Sequence, residues 1–356
     1  MRTNTAAVAS PAPKKRHASQ KARTAISTTI IYIILIVMSI LWILPILWIV
    51  LQSFTGEQQA SFGKFIPAIW DFQVVAGQAN PIAPEIVYGT TLGPFGNYVQ
   101  LFTNVRATDA SFSQIVPSNF NFFGRIVNGR LSLGGFTNTL FIATISTVLS
   151  TLLVLCTSYA FSRLRFKGRT VMMRAIMVIG MFPGFLGLVI LYNLFRILNS
   201  AGIGLFYQSI WGLILVYTGG AGMNYYISKG FFDAISKQID EAAMVDGATR
   251  FQIFYKITIP LSKPIIIYTI LTSFMSPWAE FISADYILGP SNPDYSNTTV
   301  SLILYRMLNK LDKASTPTYW GQFCAGAVVI ALPTTILFMF MQKYYVSGVT
   351  GGAVKG

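Results

Sequence analysis

Six long apolar stretches alternate with polar connections along this 356-residue chain. A helix that crosses a membrane needs about 20 mostly apolar residues, and each stretch reaches that length. The pattern therefore predicts six transmembrane helices. Their approximate bounds are Ile26–Leu51, Phe136–Phe161, Val171–Phe195, Phe206–Ser228, Pro264–Ser283 and Trp320–Met341.

Four of these stretches contain a proline, and the fourth stretch contains three glycines instead. The prolines are Pro45, Pro183, Pro277 and Pro333, and the glycines are Gly219, Gly220 and Gly222. Membrane helices tolerate such residues where neighbouring helices satisfy the freed backbone groups, so we expect a packed bundle rather than six separate anchors. The first stretch is longer than the apolar core of a signal peptide and no small-residue cleavage site follows it. We therefore expect it to be retained.

The composition agrees with an all-α integral membrane protein. Hydrophobic residues make up 53% of the chain and charged residues 11%, whereas soluble domains carry about 25% charged residues. The two cysteines, Cys156 and Cys324, both lie in apolar stretches, which predicts small buried side chains rather than a disulfide framework. The one histidine, His17, lies in a polar tail. With so few ligating groups we expect neither a metal site nor a catalytic residue.

Basic residues are concentrated on one side of the predicted topology. Of the 26 Lys and Arg residues, 18 lie in the N-terminal tail, the second and fourth connections and the C-terminal tail. The positive-inside rule places these segments, and both termini, in the cytoplasm of a multi-pass cell-membrane protein. The cytoplasmic face then carries the whole formal charge of +14. This charge is a topology signal with attraction to anionic lipid, and it gives no reason to expect nucleic acid as a partner.

The spans divide the chain into five segments. These are a basic cytoplasmic tail at 1–24, a first transmembrane helix at 25–52, an extracytoplasmic insertion at 53–135, a core of five transmembrane helices at 136–342 and a cytoplasmic C-terminal tail at 343–356. The first tail is rich in Ala, Ser, Thr and Pro and is expected to be disordered. An unstructured loop as long as the insertion would be unusual, so we expect it to contain short strands or helices around a small aromatic core.

The fifth connection, roughly Ala284–Tyr319, is predicted to be a long outer loop. Its segment Val300–Leu311 is amphipathic, which predicts a surface helix. Two acidic residues, Glu280 and Asp285, lie near the end of the fifth stretch. They could face a translocation path, but their position favours the outer interface.

A charged, helix-favouring segment, DEAAMVDGATRFQIFYKITIP, runs from Asp240 to Pro260 between two apolar stretches. Ser236 can cap a helix start, and Gly247 allows a left-handed helix stop. A second helical run, ATRFQIFYKI, follows, and Pro260 and Pro264 are expected to end it. The sequence therefore predicts two short helices with a bend, on the cytoplasmic surface.

The partner of this segment is not fixed by the pattern alone. An amphipathic helix at the lipid interface would explain the apolar Phe251 and Phe254. It explains less well the small residues and the glycine that lie beside Glu241 and Asp246. A small-residue face flanked by charges suits a soluble protein that approaches closely.

This segment resembles the EAA loop of binding-protein-dependent ABC importer permeases. The resemblance lies in the spacing: Glu-Ala-Ala, three residues, Gly, nine residues, Ile, one residue, an apolar residue and Pro. The matching positions are Glu241, Ala242, Ala243, Gly247, Ile257, Ile259 and Pro260, with Ile259 where the family usually has leucine. SYAFSRLRFKGR (Ser158–Arg169) and the terminal GGAVKG resemble the carbohydrate branch of the family, the MalG-type permeases of maltose, maltodextrin and oligosaccharide importers. The resemblance covers about Thr137 to Gly356, and we call residues 229–263 the EAA segment.

The resemblance implies a fold, a set of partners and a set of contact residues. The fold is the six-helix type I ABC importer permease, here with an outer segment inserted between helices 1 and 2. The partners are a second homologous permease, two ATPase subunits that use ATP, and an extracytoplasmic sugar-binding protein; the chain itself binds no cofactor. The implied coupling residues are Glu241, Ala242, Ala243, Asp246, Gly247, Arg250 and Pro260.

The resemblance also implies that the C-terminal tail contacts the ATPase subunits. The implied residues are Gly348, Thr350, Gly351, Gly352 and Lys355. Four glycines make this tail too flexible to form a stable helix alone, so we expect it to order on assembly.

Two other classes of function remain to be weighed against an importer permease. An ion-driven secondary transporter usually carries ionisable groups within the bilayer and an inverted repeat, and neither is evident. A membrane enzyme would need a phosphate-binding loop, a metal cluster or paired carboxylates, so we expect no ATP hydrolysis by this chain. The sequence does not specify the sugar. Four aromatic residues could stack on sugar rings but are more typical of interface anchors: Tyr192, Tyr217, Trp278 and Tyr286.

Overall fold

The structure, a computed structural model, describes residues 15–54, 95–103, 105–107, 115–117, 122–127, 130–181, 184–220, 222–289, 297–309 and 320–353. Most of the predicted basic tail and residues 55–94 of the predicted insertion lie outside these ranges.

The described residues are mostly helical. The helices are α1 (Lys15–Gln52), α2 (Gly96–Thr103), α3 (Gly135–Arg163), α4 (Arg169–Met181), α5 (Gly184–Ser200), α6 (Ile210–Gly219), α7 (Gly222–Ala234), α8 (Lys237–Val245), α9 (Arg250–Ile253), α10 (Ile259–Leu261), α11 (Lys263–Ala279), α12 (Ile282–Leu288), α13 (Val300–Asn309) and α14 (Trp320–Ala353). A π-helical turn, Phe254–Thr258, joins α9 to α10.

The chain divides into two compact units, Met1–Val50 and Leu51–Gly356. Helix α1 forms the described part of the first unit. Between Ile30 and Leu47 its side chains are almost all apolar, as a membrane-spanning helix requires. The helix begins at Lys15, so the prediction of a disordered tail up to residue 24 is wrong for residues 15–24. Extending an existing helix costs far less than starting one, which lets the apolar helix continue into the polar sequence before it.

Three described helices are long and apolar enough to cross a membrane on their own: Ser27–Gln52, Gly135–Arg163 and Trp320–Lys343. They correspond to the first, second and sixth predicted spans. The third predicted span contains α4 and α5, whose axes differ by 99°, and the fifth contains α11, which is bent by 79° from the end of the EAA segment. The count of six spans stays a prediction, because only these three are continuous helices of sufficient length.

The fourth predicted span is broken where the sequence has its glycines. Helix α6 is a short apolar helix that ends at Gly219, and α7 begins at Gly222. Glycine lowers helix stability by about 1 kcal/mol per residue relative to alanine, so a cluster of three favours a break. The interruption that the glycines indicate is therefore observed, and a single span built from α6 and α7 stays a prediction.

The core of the second unit is organised around α3, which packs against α6, α7, α11 and α13. Its buried residues are mostly small or polar, including Thr139, Ser146, Ser150 and Ser158. Small residues let helix backbones approach closely, which is how membrane helices associate. Their hydroxyl groups are satisfied within the bundle: Thr139 donates to the Gly135 carbonyl at 2.7 Å.

The described part of the predicted insertion contains one helix and four short strands. Helix α2 is followed by β1 (Val105–Ala107), which pairs antiparallel with β2 (Ile115–Pro117). A second hairpin pairs β3 (Gly124–Val127) with β4 (Arg130–Leu133). The chain is thus not purely α-helical, but the expectation of short strands and helices in this segment is confirmed.

Aromatic packing holds this segment to the bundle. Phe122 is completely buried, and the Phe102 and Phe123 rings stack with centroids 4.3 Å apart. Phe136 at the start of α3 lies 5.2 Å from the Trp278 ring. The aromatic residues of the described part of the insertion therefore belong to the core of the bundle, and the expectation of a small core of their own is wrong for them.

Two further expectations need correction. Helix α13 exists where the amphipathic pattern predicts it, but it is a core helix, because Val300, Ile303 and Met307 are at most 1% exposed. Polar residues of this helix, such as Ser301, are also buried inside the bundle. The polar side of the amphipathic pattern therefore does not face solvent. Cys324 is buried as predicted, whereas Cys156 is exposed on α3, because not every apolar residue of a membrane helix faces the bundle.

The last helix continues well beyond the predicted span. Helix α14 reaches Ala353, so the expectation of a non-helical tail from residue 343 is wrong for most of that segment. The long preceding helix supplies the nucleus that the glycine-rich sequence could not form alone. Lys355 and Gly356 lie outside the described residues.

Candidate functional site

The EAA segment forms two short helices with a glycine stop between them, as predicted. Helix α8 begins after Ser236, whose hydroxyl accepts a hydrogen bond from the Gln238 N–H. Asp240 and Ala243 are buried against the bundle. Four of the predicted coupling residues are exposed on α8 and the turn after it: Glu241, Ala242, Asp246 and Gly247.

Gly247 ends α8 in a left-handed conformation, with φ +83°. The Ala248 N–H donates to the Ala243 carbonyl at 2.9 Å, and the Gly247 N–H donates to the Met244 carbonyl at 3.1 Å. These two bonds form a Schellman motif, which satisfies carbonyl groups at the helix end. A side chain at position 247 would meet no atom within 4 Å, so backbone conformation rather than space is the reason for glycine here.

The second helix starts with a capping box and contains a π-helical turn. The Thr249 hydroxyl accepts from the Gln252 N–H, and the Gln252 side chain accepts from the Thr249 N–H at 2.8 Å. The π-helical turn follows, and the Ile259 N–H bonds to the Phe254 carbonyl. Pro260 comes next and has no N–H to donate, so the turn carries the chain past a residue that would interrupt a regular helix.

The sequence predicts that Pro260 ends the helical segment, and this prediction is wrong. The helical chain continues to Leu261 and turns at Ser262, whose N–H donates to the Thr258 carbonyl at 3.0 Å. Pro264 lies in the first turn of α11, where its missing N–H costs nothing. The bend of 79° between the two helices is thus at Ser262.

A buried charge pair fixes α8 to the end of α3. Arg163 Nε lies 3.0 Å from Asp240 Oδ2, and the two side chains are 3% and 13% exposed. Arg163 Nη2 also donates to the Ile235 carbonyl at 2.8 Å, at the entrance to α8. The Asp240 Oδ1 atom has no hydrogen-bond partner among the described residues. The pair is therefore held by charge and by the Ile235 carbonyl rather than by a complete set of hydrogen bonds.

A second contact fixes the following helix to α3. The Tyr159 hydroxyl donates to the Arg250 carbonyl at 3.3 Å, and its ring lies 4.7 Å from the Phe254 ring. Tyr159 belongs to a buried cluster with Phe232 and Ile265. The side chain of Arg250 itself is exposed. Both helices of the EAA segment are therefore anchored to α3 by side chains four residues apart.

The same end of α3 also holds the preceding helix, α7. The Ser162 hydroxyl donates to Asp233 Oδ1 at 2.7 Å, and Lys229 forms an ion pair with the same carboxylate. Burial raises the pKa of Asp233, but the hydrogen bonds from Lys229 and Ser162 outweigh it and hold this pKa below its ordinary value. Sequence reasoning did not assign a role to Arg163. One signal could have identified Arg163 from the sequence. It is a basic residue at the cytoplasmic end of the second predicted span, and the next predicted cytoplasmic connection contains the acidic Asp240.

Beyond these anchors, the EAA segment exposes several large apolar side chains. Val245 is 88% exposed and Phe251 72%, and Met244 and Tyr255 are also exposed. Glu241 lies one turn before Val245 on the same helix face. This combination of a carboxylate and apolar side chains outside the bundle is a surface suited to contact with another protein.

An open cavity lies between helices of the bundle, away from the EAA segment, and combines several polar groups with a mostly apolar lining. It has a volume of about 380 Å³. Its lining is Gly184, Phe185, Leu188, Val216, Tyr217, Gly220, Asn224, Thr272, Ser273, Ser276, Glu280, Ile282 and Ser283. The Tyr217 hydroxyl donates to Glu280 Oε2 at 3.0 Å, and the Ser283 N–H donates to Glu280 Oε1 at 2.8 Å. Glu280 therefore faces this open cavity, while its depth in a membrane stays a prediction.

The other aromatic and acidic candidates are in structural contacts. Trp278 is 2% exposed in the core, and the Tyr192 hydroxyl lies 3.2 Å from that of Tyr207. Tyr286 packs on Tyr192 with ring centroids 5.2 Å apart. Asp285 forms an ion pair with Arg306. Of the four aromatic residues considered for sugar stacking, Tyr217 lines the cavity.

Comparison with known protein families decides the class. A model of the binding-protein-dependent transport system inner membrane component matches residues 154–351. The chain belongs to this family. The match includes the whole EAA segment and every residue that lines the cavity, and it confirms the resemblance drawn from the sequence. A family of inner-membrane components, together with several long apolar helices, makes the chain a multi-pass membrane protein.

Individual relatives are similar over most of their length. The galactooligosaccharide transport system permease protein GanQ of Bacillus subtilis is 35% identical over 250 residues, which cover 68% of this chain and 83% of the relative. The maltose/maltodextrin transport system permease protein MalG of Vibrio vulnificus is 36% identical over 219 residues, covering 62% and 71%.

A solved structure shares the fold. It is a bacterial ABC transporter involved in the import of the acidic polysaccharide alginate, and the likeness covers 94% of this chain and 100% of that chain. The TM-score is 0.58 and the sequence identity 19%, so this likeness shows the fold alone. The predicted ABC importer permease fold is confirmed, whereas the coupling and tail residues stay predictions.

Proposed function

We propose that this chain is a permease subunit of an ATP-driven ABC importer for a sugar, and that the EAA segment couples it to the ATPase subunits. The observation that carries the proposal is the surface of α8, with an exposed Glu241 and Val245 on a helix that is fixed rigidly to the bundle. Relatives named for maltose/maltodextrin and galactooligosaccharide transport make an oligosaccharide the expected cargo.

The proposed assembly has three kinds of partner besides lipid. A second homologous permease completes the translocation path, two ATPase subunits bind below it, and an extracytoplasmic sugar-binding protein binds above. The charge distribution supports this orientation, because the EAA segment and both termini lie on the side that carries the excess of Lys and Arg. ATP is used by the ATPase subunits, and no cofactor is assigned to this chain.

The contacts of α8 with α3, and of α3 with α11, suggest how a movement of α8 would reach the cavity. Arg163 joins α8 to α3 through Asp240 and the Ile235 carbonyl. Helix α3 in turn packs along α11, where the Ser273 hydroxyl donates to Ser150 at 3.2 Å. Ser273 lines the cavity. Closure of the ATPase subunits would thus move α8 and α3 as one body and change access to the cavity, which is the rigid-body form of alternating access.

The C-terminal tail is proposed to contact the ATPase subunits as well. Gly348, Thr350, Gly351 and Gly352 lie on the last turns of α14, which extend beyond the apolar span. A helix of glycines carries little side-chain bulk and can lie close to another protein. Lys355 follows it in the sequence.

The test is sugar uptake by the assembled importer in proteoliposomes. We expect uptake to require ATP and the binding protein. Glu241→Lys should leave insertion and assembly in the membrane intact but abolish most of the sugar transported per ATP hydrolysed, because it reverses the charge at the proposed contact. Glu241→Gln is the control that keeps the size of the side chain and removes its charge. Its sugar transported per ATP hydrolysed should lie between the values of the wild-type protein and Glu241→Lys.

Removal of Gly348–Gly356 in the same assay should lower sugar-stimulated ATP hydrolysis. Uptake driven by an ion gradient without ATPase subunits would contradict the proposed function. Unchanged uptake by Glu241→Lys would contradict the assignment of the coupling surface, and unchanged stimulation in the truncated chain would contradict the tail contact.

A further inference from the structure

The cavity around Tyr217 and Glu280 combines a carboxylate with several hydroxyl and amide groups between membrane helices. Its polar side chains come from α6, α7, α11 and α12. Its volume of about 380 Å³ falls in the range of small-molecule sites. Ionisable groups among membrane helices are costly and usually have a function, so Glu280 needs an explanation beyond packing.

Glu280 has unused capacity to accept hydrogen bonds. A carboxylate can accept about four of them. Oε2 accepts one from the Tyr217 hydroxyl and Oε1 accepts one from the Ser283 N–H. Capacity for about two more remains, which matches a pair of neighbouring hydroxyl groups on a sugar ring.

The other polar groups of the lining are neutral. They are the side chains of Tyr217, Asn224, Thr272, Ser273, Ser276 and Ser283. Glu280 is the only charged residue among the described residues that line the cavity, and no Lys, Arg or His is among them. A single negative charge acts on any other charge that enters the cavity, and it does so more strongly wherever water is excluded.

We propose that this cavity is a sugar subsite that selects by charge, in which Glu280 and Tyr217 bind hydroxyl groups of neutral saccharides and Glu280 repels uronates and other acidic sugars. The inference rests on the proposed function for its ligand class. It goes beyond that function because it assigns residues and predicts which sugars this path rejects. The likeness in fold to an importer of an acidic polysaccharide does not extend this cargo to the present chain.

A purely structural role for Glu280 is the alternative. Its bond to the Ser283 N–H caps the start of α12, and this bond needs only an acceptor oxygen. Glu280→Gln keeps that oxygen and removes the charge. A structural role therefore predicts no change in charge selectivity, whereas the proposed role predicts its loss.

The charge of the cavity can be measured directly in the assembled importer. In a background with Cys156→Ser and Cys324→Ala, Ser276→Cys places one thiol on the cavity lining. Its reaction with a cationic and an anionic methanethiosulfonate of similar size is followed by mass spectrometry. Each rate is expressed relative to the rate of the same reagent with free cysteine in solution, because the attacking thiolate is itself negative and already favours the cationic reagent. On this relative scale we expect the cationic reagent to react at least about tenfold faster, because Glu280 attracts one and repels the other.

Glu280→Gln should bring the two rates to within about twofold of each other, by the same reasoning. Asp285→Asn is the matched control, because Asp285 is an acidic residue nearby that does not line the cavity. It should retain the rate ratio. Equal rates with Glu280 present, a ratio that survives Glu280→Gln, or no reaction with either reagent would each overturn the proposal.

Sugar occupancy is tested by protection of the same thiol. Maltotriose or a galactotriose should slow both reagents, a trisaccharide that contains a uronate should not, and Tyr217→Phe should weaken the protection. Protection by neither neutral sugar, or equal protection by the uronate, would overturn the sugar assignment. This measurement needs neither ATP nor the binding protein, so its failure is distinguishable from a failure of ATP-driven uptake.

Discussion

Arg163 and Asp240 show how single residues can connect the EAA segment to the bundle. Both are charged and nearly buried, and a buried pair of this kind is at best a modest source of stability. Removing one partner leaves the other charge buried, at a cost of about 3–5 kcal/mol. Removing both and replacing them with apolar residues is often neutral. Single and double replacements therefore differ in their effect on stability. A double variant that is stable can be used to measure the contribution of the pair to coupling alone.

We expect Arg163→Met and Asp240→Leu each to lower the melting temperature of the assembled importer. The double variant should recover most of the thermal stability, because no buried charge remains. It should still transport less sugar per ATP hydrolysed, because α8 is no longer fixed to α3. Lys229→Met is the control on a more exposed ion pair, and it should change stability by less than about 1 kcal/mol. Full coupling in the stable double variant would show that the pair has no positioning role.

At the scale of elements, the EAA segment follows from its sequence except at one point. The cap at Ser236, the stop at Gly247 and the second helix were predictable because each depends on local chemistry. The π-helical turn before Pro260 was not, because it depends on how the chain reaches α11. The break between α6 and α7 was signalled by the three glycines of the fourth stretch. The burial of α13 could not be predicted, because only the tertiary structure decides which polar residues find partners.

Gly247 offers a sharp test of the stop between the two helices. Gly247→Ala should destabilise the protein by about 1–2 kcal/mol, because a side chain disfavours the left-handed conformation. Gly247→Val should cost more, and it should weaken binding of the ATPase subunits. Gly230 is a matched control: it is exposed within α7 and a side chain there would also meet no atom within 4 Å.

Gly230→Ala should be neutral or stabilising by up to about 1 kcal/mol, because alanine favours a helix interior. The melting temperatures of the two alanine variants give the comparison. If Gly247→Ala were as stable as Gly230→Ala, with the ATPase subunits retained in full, the bend would not depend on the left-handed glycine.

At the scale of the whole molecule, the sequence allowed the class to be recognised but left the translocation path open. The topology came from the count of apolar stretches and basic residues, and the family came from the spacing within the EAA segment. The cavity could not be foreseen, because its lining comes from five helices that are separated in sequence by up to about 100 residues. Glu280 and Tyr217 are 63 residues apart and meet only in the folded bundle.

The contact between the EAA segment and an ATPase subunit is the claim on which the account depends most. A photo-crosslinking amino acid in place of Val245, which is 88% exposed, reports this contact in native membranes. Leu152 is the control, because it is 57% exposed in the middle of α3. We expect a covalent adduct with the ATPase subunit from position 245 and none from position 152. A transporter that still takes up sugar but forms no ATPase adduct from position 245 would contradict it.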